Sequence, residues 1–175
     1  MMSRCAPLGS IGAFARSSAV FISARTSARS LREGSILEGV VRRLGRRPDV
    51  LLVAAAGRDH PRRAGLALHL EAVLDLPTVG VTDNPLLATG DEPGPAWMAE
   101  APLHLGGEVV AYRLRTRKGA KAVVAHAAWR TSAEVAEEIV LGSTALARWR
   151  EPMREARRLA RELRDTRIQP LRSRT

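Results

Sequence analysis

Residues 1–32 contain no Asp or Glu, the whole 175-residue chain contains one cysteine, and aromatic residues make up only 3% of it. Each shortage excludes something. Cys5 alone cannot form an intramolecular disulfide or a cysteine-based zinc site, and its isolation suits a reducing cytoplasm. No apolar run approaches the roughly 20 residues that a membrane helix needs, so no membrane association is expected. With so few aromatics, the core must be built from Ala, Leu and Val. A chain of this length buries such a core as one domain without covalent staples.

Positive charge is abundant, at a net +10, but it is unevenly placed. Residues 1–32 hold five arginines, residues 33–145 are close to neutral, and residues 146–175 hold ten arginines against four acids. A basic end binds phosphate backbones by releasing counterions. A solvated, Arg-rich helix would have the same composition, and charge alone leaves both readings open.

Residues 1–29, rich in Ser, Ala and Arg, are expected to be irregular or disordered. A transit peptide, a tail without structural meaning and a misassigned start or reading frame all fit that composition. Regular patterning then covers residues 30–165, with a basic tail at 166–175. Ser30 and Glu33 form an S-x-x-E capping box that opens a helix. Leu37, Val40, Val41 and Leu44 supply its apolar stripe, and Pro48 follows its end. The run VLLV at 50–53 reads as a buried strand, and residues 54–63 as a loop. Leu66, Leu70, Val73 and Leu74 mark a second helix over 64–75, stopped by Pro77, before a short strand at 78–81. Helix, strand, helix, strand argues for parallel strands with crossover helices. Residues 82–105, punctuated by Pro and Gly, read as a long loop. The stretches 107–115 and 120–126 read as an antiparallel hairpin. Thr131 and Glu134 form a second capping box before a helix, and a last helix is expected over 152–164.

Glu33 lies on the helix face that carries the apolar stripe, where a carboxylate needs a metal, an arginine or backbone donors. It also serves as the capping partner of Ser30. The loop GRDHPRRAG at 57–65 follows a buried strand and opens a helix, the place where open α/β sheets bind ligands. Arg62, Arg63 and backbone N–H groups at the helix start suit a phosphate, and Gly57 and Gly65 permit close backbone approach. An ordinary polar loop with an Asp cap fits the same string. His60 and His69 have no metal-binding spacing; His69 and His126 read as core histidines. No pair of acids presents a two-metal site. The end of the strand at 50–53, where one would belong, reads Ala54-Ala55-Ala56.

Taken together, PDVLLV at 48–53, GRDHPRRAGLALH at 57–69, LPTVGV at 76–81 and Leu31-Arg32-Glu33 resemble endonuclease V. That family reads much like PD-hydrophobic-VDGxGxxHPRRxGxASH followed by LPTxGVxK, with an FRE helix start. The resemblance covers roughly residues 31–164 and implies an α/β, RNase H-like mixed sheet flanked by helices, expected here to lack the first N-terminal strand or strands. It implies Mg²⁺-dependent hydrolysis of the phosphodiester bond 3′ of deoxyinosine in DNA, and in some members of inosine in RNA. Carried over residue by residue, it makes Glu33 a catalytic residue and metal ligand, and His60 a catalytic residue. Arg32, Arg58, Arg62, Arg63, Gly65 and His69 become nucleic-acid contacts.

Other positions depart from the family. Its strand-end aspartate falls on Ala54, its lysine after the Thr-x-Gly-Val strand on Asp83, and its histidine near the late helix start on Trp129. Members also begin with a strand carrying a further metal-binding aspartate and later present a Tyr-x-Pro-Gly wedge. Residues 24–29, ARTSAR, show no wedge, and no Asp precedes them. Mg²⁺ binds poorly through one carboxylate. The implied function is therefore that of a cytoplasmic DNA-repair nuclease acting on DNA, or RNA, with deaminated adenine, and impaired in cleavage. A non-catalytic nucleic-acid-binding remnant, using Arg113, Arg115, Arg117 and Lys118 of the hairpin as well, is the alternative. A product with exposed sheet edges is a third. No protein partner is indicated.

Overall fold

The structure is a computed structural model and describes residues 19–22, 30–146, 158 and 162. In chain order the elements are β1 (Ala19–Ile22), α1 (Ser30–Arg42), β2 (Val50–Val53), α2 (Leu66–Leu74), β3 (Thr78–Thr82), β4 (Glu100–Leu105), β5 (Glu108–Leu114), β6 (Val123–His126) and α3 (Ala133–Leu146). Six strands form one mixed sheet in the order β1-β2-β3-β6-β5-β4. β1, β2 and β3 run parallel, while β6, β5 and β4 form antiparallel pairs. This is the expected α/β sheet flanked by helices.

β2 is apolar without interruption because it is covered on both faces, as parallel strands are. Leu51 and Val53 pack with Val41 of α1 and with Leu66, Ala67 and Leu70 of α2. Val50 and Leu52 face the other way, towards Val79, Val81, Leu114 and Ala136, Ile139 and Val140 of α3. A further cluster of Leu103, Val110, Ala111 and Val124, roofed by Ala88, extends the core under the β4–β5 hairpin.

Residues 1–29 do not all behave as expected. Ala19–Ile22 pair in parallel with Val50–Val53, so the irregular reading is corrected at these four positions. An apolar, β-branched and aromatic tetrapeptide beside an otherwise open strand gains a full ladder of backbone hydrogen bonds. The 82–105 loop is corrected as well, because its last six residues are β4. Ala101 and Leu103 alternate inward with exposed Glu100, Pro102 and His104 outward. Gly106 and Gly107, at φ +64° and +82°, make the tight turn into β5 that only residues tolerating positive φ allow.

Two helix faces also shift. In α1, Gly34 and Val41 are buried and Leu37 is partly so, while Val40 and Leu44 are exposed. In α2, Val73 faces solvent and Glu71 is buried instead. Arg42 donates to the Val73 carbonyl at 3.0 Å, and Arg47 to those of Leu74 and Asp75, so two arginines complete the C-terminal end of α2. Asp75 at φ +49° ends that helix ahead of Pro77. In α3 the cap is Ser132, whose Oγ accepts the Val135 N–H at 3.3 Å; Thr131 is used elsewhere. The last helix, expected over 152–164, and the tail lie outside the described residues. Arg158 and Glu162, which are described, are helical and ion-paired. No helix among the described residues is long and apolar enough to cross a membrane.

Where α3 faces the sheet, burial, then the hydrogen bond that the protonated Glu137 carboxyl donates to Glu100, and then the charges of Glu100, Glu138 and Glu134 push the Glu137 carboxyl from 4.5 up to about 8. The nearby Tyr112 phenol is raised by burial and by Glu134, Glu100 and Glu137. The folded chain thus keeps a proton on Glu137 that the unfolded chain releases near 4.5. Stability present below that value declines as pH rises through about 8. The thermal midpoint is expected to fall between about pH 6.5 and pH 8, and Glu137→Gln to flatten that limb. Identical profiles for the two proteins in scanning calorimetry would contradict it.

Candidate nucleic-acid interface

The loop that joins β2 to α2 has no room for side chains at its glycines. A Cβ on Gly57 would lie 1.9 Å from the Ala127 carbonyl oxygen, and one on Gly65 2.1 Å from that of Ala56. Both glycines allow the close approach expected of them, but to the chain's own backbone. Gly65 N–H donates to Gly57 O at 3.1 Å and Ala67 N–H to Ala56 O at 3.2 Å. Two of the helix-start donors expected to receive a phosphate are therefore already occupied.

Asp59 is fully buried and does act as a cap, though not of its own helix. Its carboxylate accepts the N–H groups of Leu86 at 2.6 Å, Leu87 at 2.8 Å and Ala88, and so fixes the segment after β3. His126 lies 3.8 Å away through Nδ1, which has no hydrogen-bond partner. Thr82 Oγ1 donates to Asn84 O and sits 2.7 Å from His126 Nε2, so Nε2 carries the ring proton. Burial holds the His126 imidazole down from 6.5 to about 4, against the opposing pull of Asp59. His126 is the core histidine expected. His69 is not: it is exposed.

Glu71 is the second buried carboxylate, and its role was not anticipated. It accepts the N–H groups of Trp129 and, at 3.0 Å, Arg130, together with the Thr131 hydroxyl. The signal was present in the sequence, since Glu71 stands one turn after inward-facing Ala67 and next to Leu70. From the opposite side Arg58 grips the same turn. Its Nε donates to Ala128 O at 2.7 Å, one Nη to Trp129 O at 2.8 Å, and the other to Glu108 at 2.9 Å. Arg58, expected to contact nucleic acid, is instead committed to the fold.

His60, Arg62 and Arg63 follow Arg58 in the same loop. His60 Nδ1 accepts the Arg62 N–H at 3.2 Å, which leaves Nε2–H as the ring's donor. Arg62 is exposed, and its guanidinium makes no hydrogen bond or ion pair to another described residue. Arg63, at φ +52°, reaches Leu105 O at 3.3 Å and Glu108 at 3.5 Å. The His69 ring packs on Gly34, so that a Cβ there would meet Cδ2 at 3.1 Å and Nε2 at 3.2 Å. That contact brings α2 to the first turns of α1, where Arg32 and Glu33 stand; their side chains lie outside the described residues. On the hairpin, Arg115 serves the carbonyls of Pro93, Gly94 and Ala120, and Arg113 pairs with Glu92. Of that set only Arg117 and Lys118 stay fully exposed.

At the end of β2, half-buried Ala54 contributes a methyl group and no oxygen. Among the described residues no group of three or more His, Cys, Asp or Glu is arranged to hold a metal ion. Trp129 is 49% exposed, with the Arg130 guanidinium 4.9 Å over its ring, and Arg130 also pairs with Asp75.

Two measurements check this geometry. Glu71→Ala strands three donors and is expected to cost roughly 3 kcal/mol or more in urea unfolding; a loss below about 1 kcal/mol would contradict the buried network. The His126 ring should stay neutral to about pH 4 by NMR titration. Because the unfolded chain takes that proton first, stability should fall as pH drops from 6.5 towards 4; a His126 titration near 6.5 would refute this.

Comparison with known proteins accords with this arrangement. The Endonuclease V family model matches residues 28–158. Endonuclease V of Methanopyrus kandleri is 41% identical over 113 residues, 65% of this chain and 49% of its own length. That of Roseiflexus sp. is 36% identical over 131 residues, 75% of this chain and 59% of its own. The chain thus spans about half to three-fifths of the curated relatives it matches. Among solved structures, Streptomyces avermitilis endonuclease V superposes with a TM-score of 0.67 at 31% identity, covering 77% of this chain and 60% of that one. The catalytic domain of human endonuclease V gives 0.68 at 27%, covering 84% and 68%. The chain belongs to the endonuclease V family.

Proposed function

We propose that this chain is an endonuclease V-type DNA-repair protein that holds nucleic acid containing deaminated adenine, deoxyinosine in DNA or inosine in RNA, and is impaired in cutting it. The observation that carries the reading is the donor chemistry at the end of β2. Mg²⁺ needs several hard oxygen ligands in near-octahedral array. The position that corresponds to the family's aspartate is Ala54, and the carboxylates of Asp59 and Glu71 are each engaged by three protein donors. Glu33 alone remains of the expected ligands. These residues do not fit a Mg²⁺ site. Trp129, in the place of the family's histidine, offers an indole N–H and no basic lone pair, so it cannot exchange a proton near neutral pH.

The binding half of the reading has better support. His60 Nε2–H and the guanidinium groups of Arg62 and Arg63 come from one loop and are the kind of donors that phosphate oxygens accept. For Arg32 and His69 the same role is an expectation carried by the resemblance alone, as it is for Gly65, whose N–H is already given to Gly57 O. A unit over residues 30–165 that takes in the strand 19–22 of the preceding segment, followed by a basic 166–175 and acting in the cytoplasm, completes the proposal.

The test is nicking of a deoxyinosine-containing duplex with Mg²⁺ and with chelator, alongside binding of the same duplex at rising salt. Cleavage near background and binding that weakens as salt rises are expected. Robust Mg²⁺-dependent scission would overturn the impairment, and absence of binding at low salt would overturn the whole reading.

A further inference from the structure

Trp129 combines two properties that rarely coincide without use. It is a large apolar ring left half open to solvent, at 49% exposure, and it stands on a turn held from both sides by buried or part-buried side-chain hydrogen bonds. Glu71 takes the N–H groups of Trp129 and Arg130 and the hydroxyl of Thr131. Arg58 takes the carbonyls of Ala128 and Trp129. Ala128 N–H closes the turn onto Thr131 O at 3.0 Å. The indole is therefore presented with its backbone already ordered, so a partner meets little entropic cost in engaging it.

Its surroundings select the kind of partner. The Arg130 guanidinium lies 4.9 Å over the ring and is itself tethered to Asp75. Arg58 reaches the turn from the loop that also carries exposed Arg62 and Arg63. The equally exposed Trp97, at 55%, sits instead in the loop that contains Asp91 and Glu92. A rigid indole beside guanidinium groups suits a ligand that is both flat and anionic, which describes a nucleotide. Every base has a π-face to stack, and such stacking tolerates any sequence.

We infer that Trp129, backed by Arg130, is a stacking platform for one unpaired nucleobase of a bound strand. The inference rests on the nucleic-acid reading above and adds to it a single-stranded or locally opened ligand. The indole replaces proton chemistry at that position with aromatic surface, so the same turn gains a binding role.

The test uses the full chain with Trp97→Phe and Trp149→Phe, so that Trp129 is the sole emitter. It is titrated with a single-stranded deoxyinosine oligonucleotide and with the matching duplex. Saturable quenching is expected, stronger for the single strand. Adding Trp129→Ala should weaken single-strand binding about 5- to 150-fold while leaving the slope of affinity against salt unchanged, because no phosphate contact is lost. Trp129→Phe, which keeps a ring, should retain most of the affinity. Circular dichroism and thermal melting of both variants guard against misfolding. Binding without quenching, together with equal affinity in Trp129→Ala, would overturn the platform and leave nucleic-acid binding intact. No binding by the starting protein at low salt would overturn both. A lowered salt slope in Trp129→Ala would also reject stacking, in favour of a charge effect.

Discussion

The carboxylate of Glu71 joins two halves that the chain builds separately. α2 belongs to the parallel half of the sheet, and the turn at residues 128–131 belongs to the antiparallel half. A buried carboxylate is tolerated only when its oxygens are fully used, and here backbone N–H groups and a hydroxyl use them. Asp59 does the same between the β2–α2 loop and the segment after β3. Both acids are thus bound to structure, and charge of this kind, organised to fix loops, has little left to offer a cation.

The glycines complete the constraint. Gly57, Gly65 and Gly80 each stand where a Cβ would lie within 2.3 Å of a carbonyl oxygen. The loop after β2 therefore lies flat between β6 and α2, without space for side chains between the layers. Conformational freedom of glycine matters less here than its small volume. The positive φ values of Gly106 and Gly107 are the contrasting case, in which handedness is what the turn requires.

Much of this was legible in residue order. PDVLLV announced a doubly covered strand, the spacing of Leu66 and Leu70 announced α2, and the HPRR string pointed to the family. The failures have physical causes. β4 was hidden by Pro102 and by the turn-rich sequence before it, although Leu-Gly-Gly-Glu at 105–108 is a strong hairpin signal. Val40 and Leu44 fell on the apolar stripe by periodicity, but the layer beneath α1 is narrow and only Leu37 and Val41 reach it. Arg58 looked like a phosphate ligand because charge is visible in sequence, whereas the carbonyls it serves 70 residues away are not. Glu71 was overlooked for the same reason: its partners are backbone groups, which carry no letter of their own.

The outer margin of β4 shows how this sheet avoids becoming a template. His104 turns its N–H and C=O outwards, and both are taken by Thr89 at 2.8 and 2.9 Å in a single bridge. Two residues earlier Pro102 has no N–H to offer, and its carbonyl is overlain by Gly90. The irregularity between Leu103 and His104 breaks the spacing further. A strand from another molecule would find no continuous ladder to extend along this side, so edge-to-edge stacking of copies is disfavoured there by the strand itself.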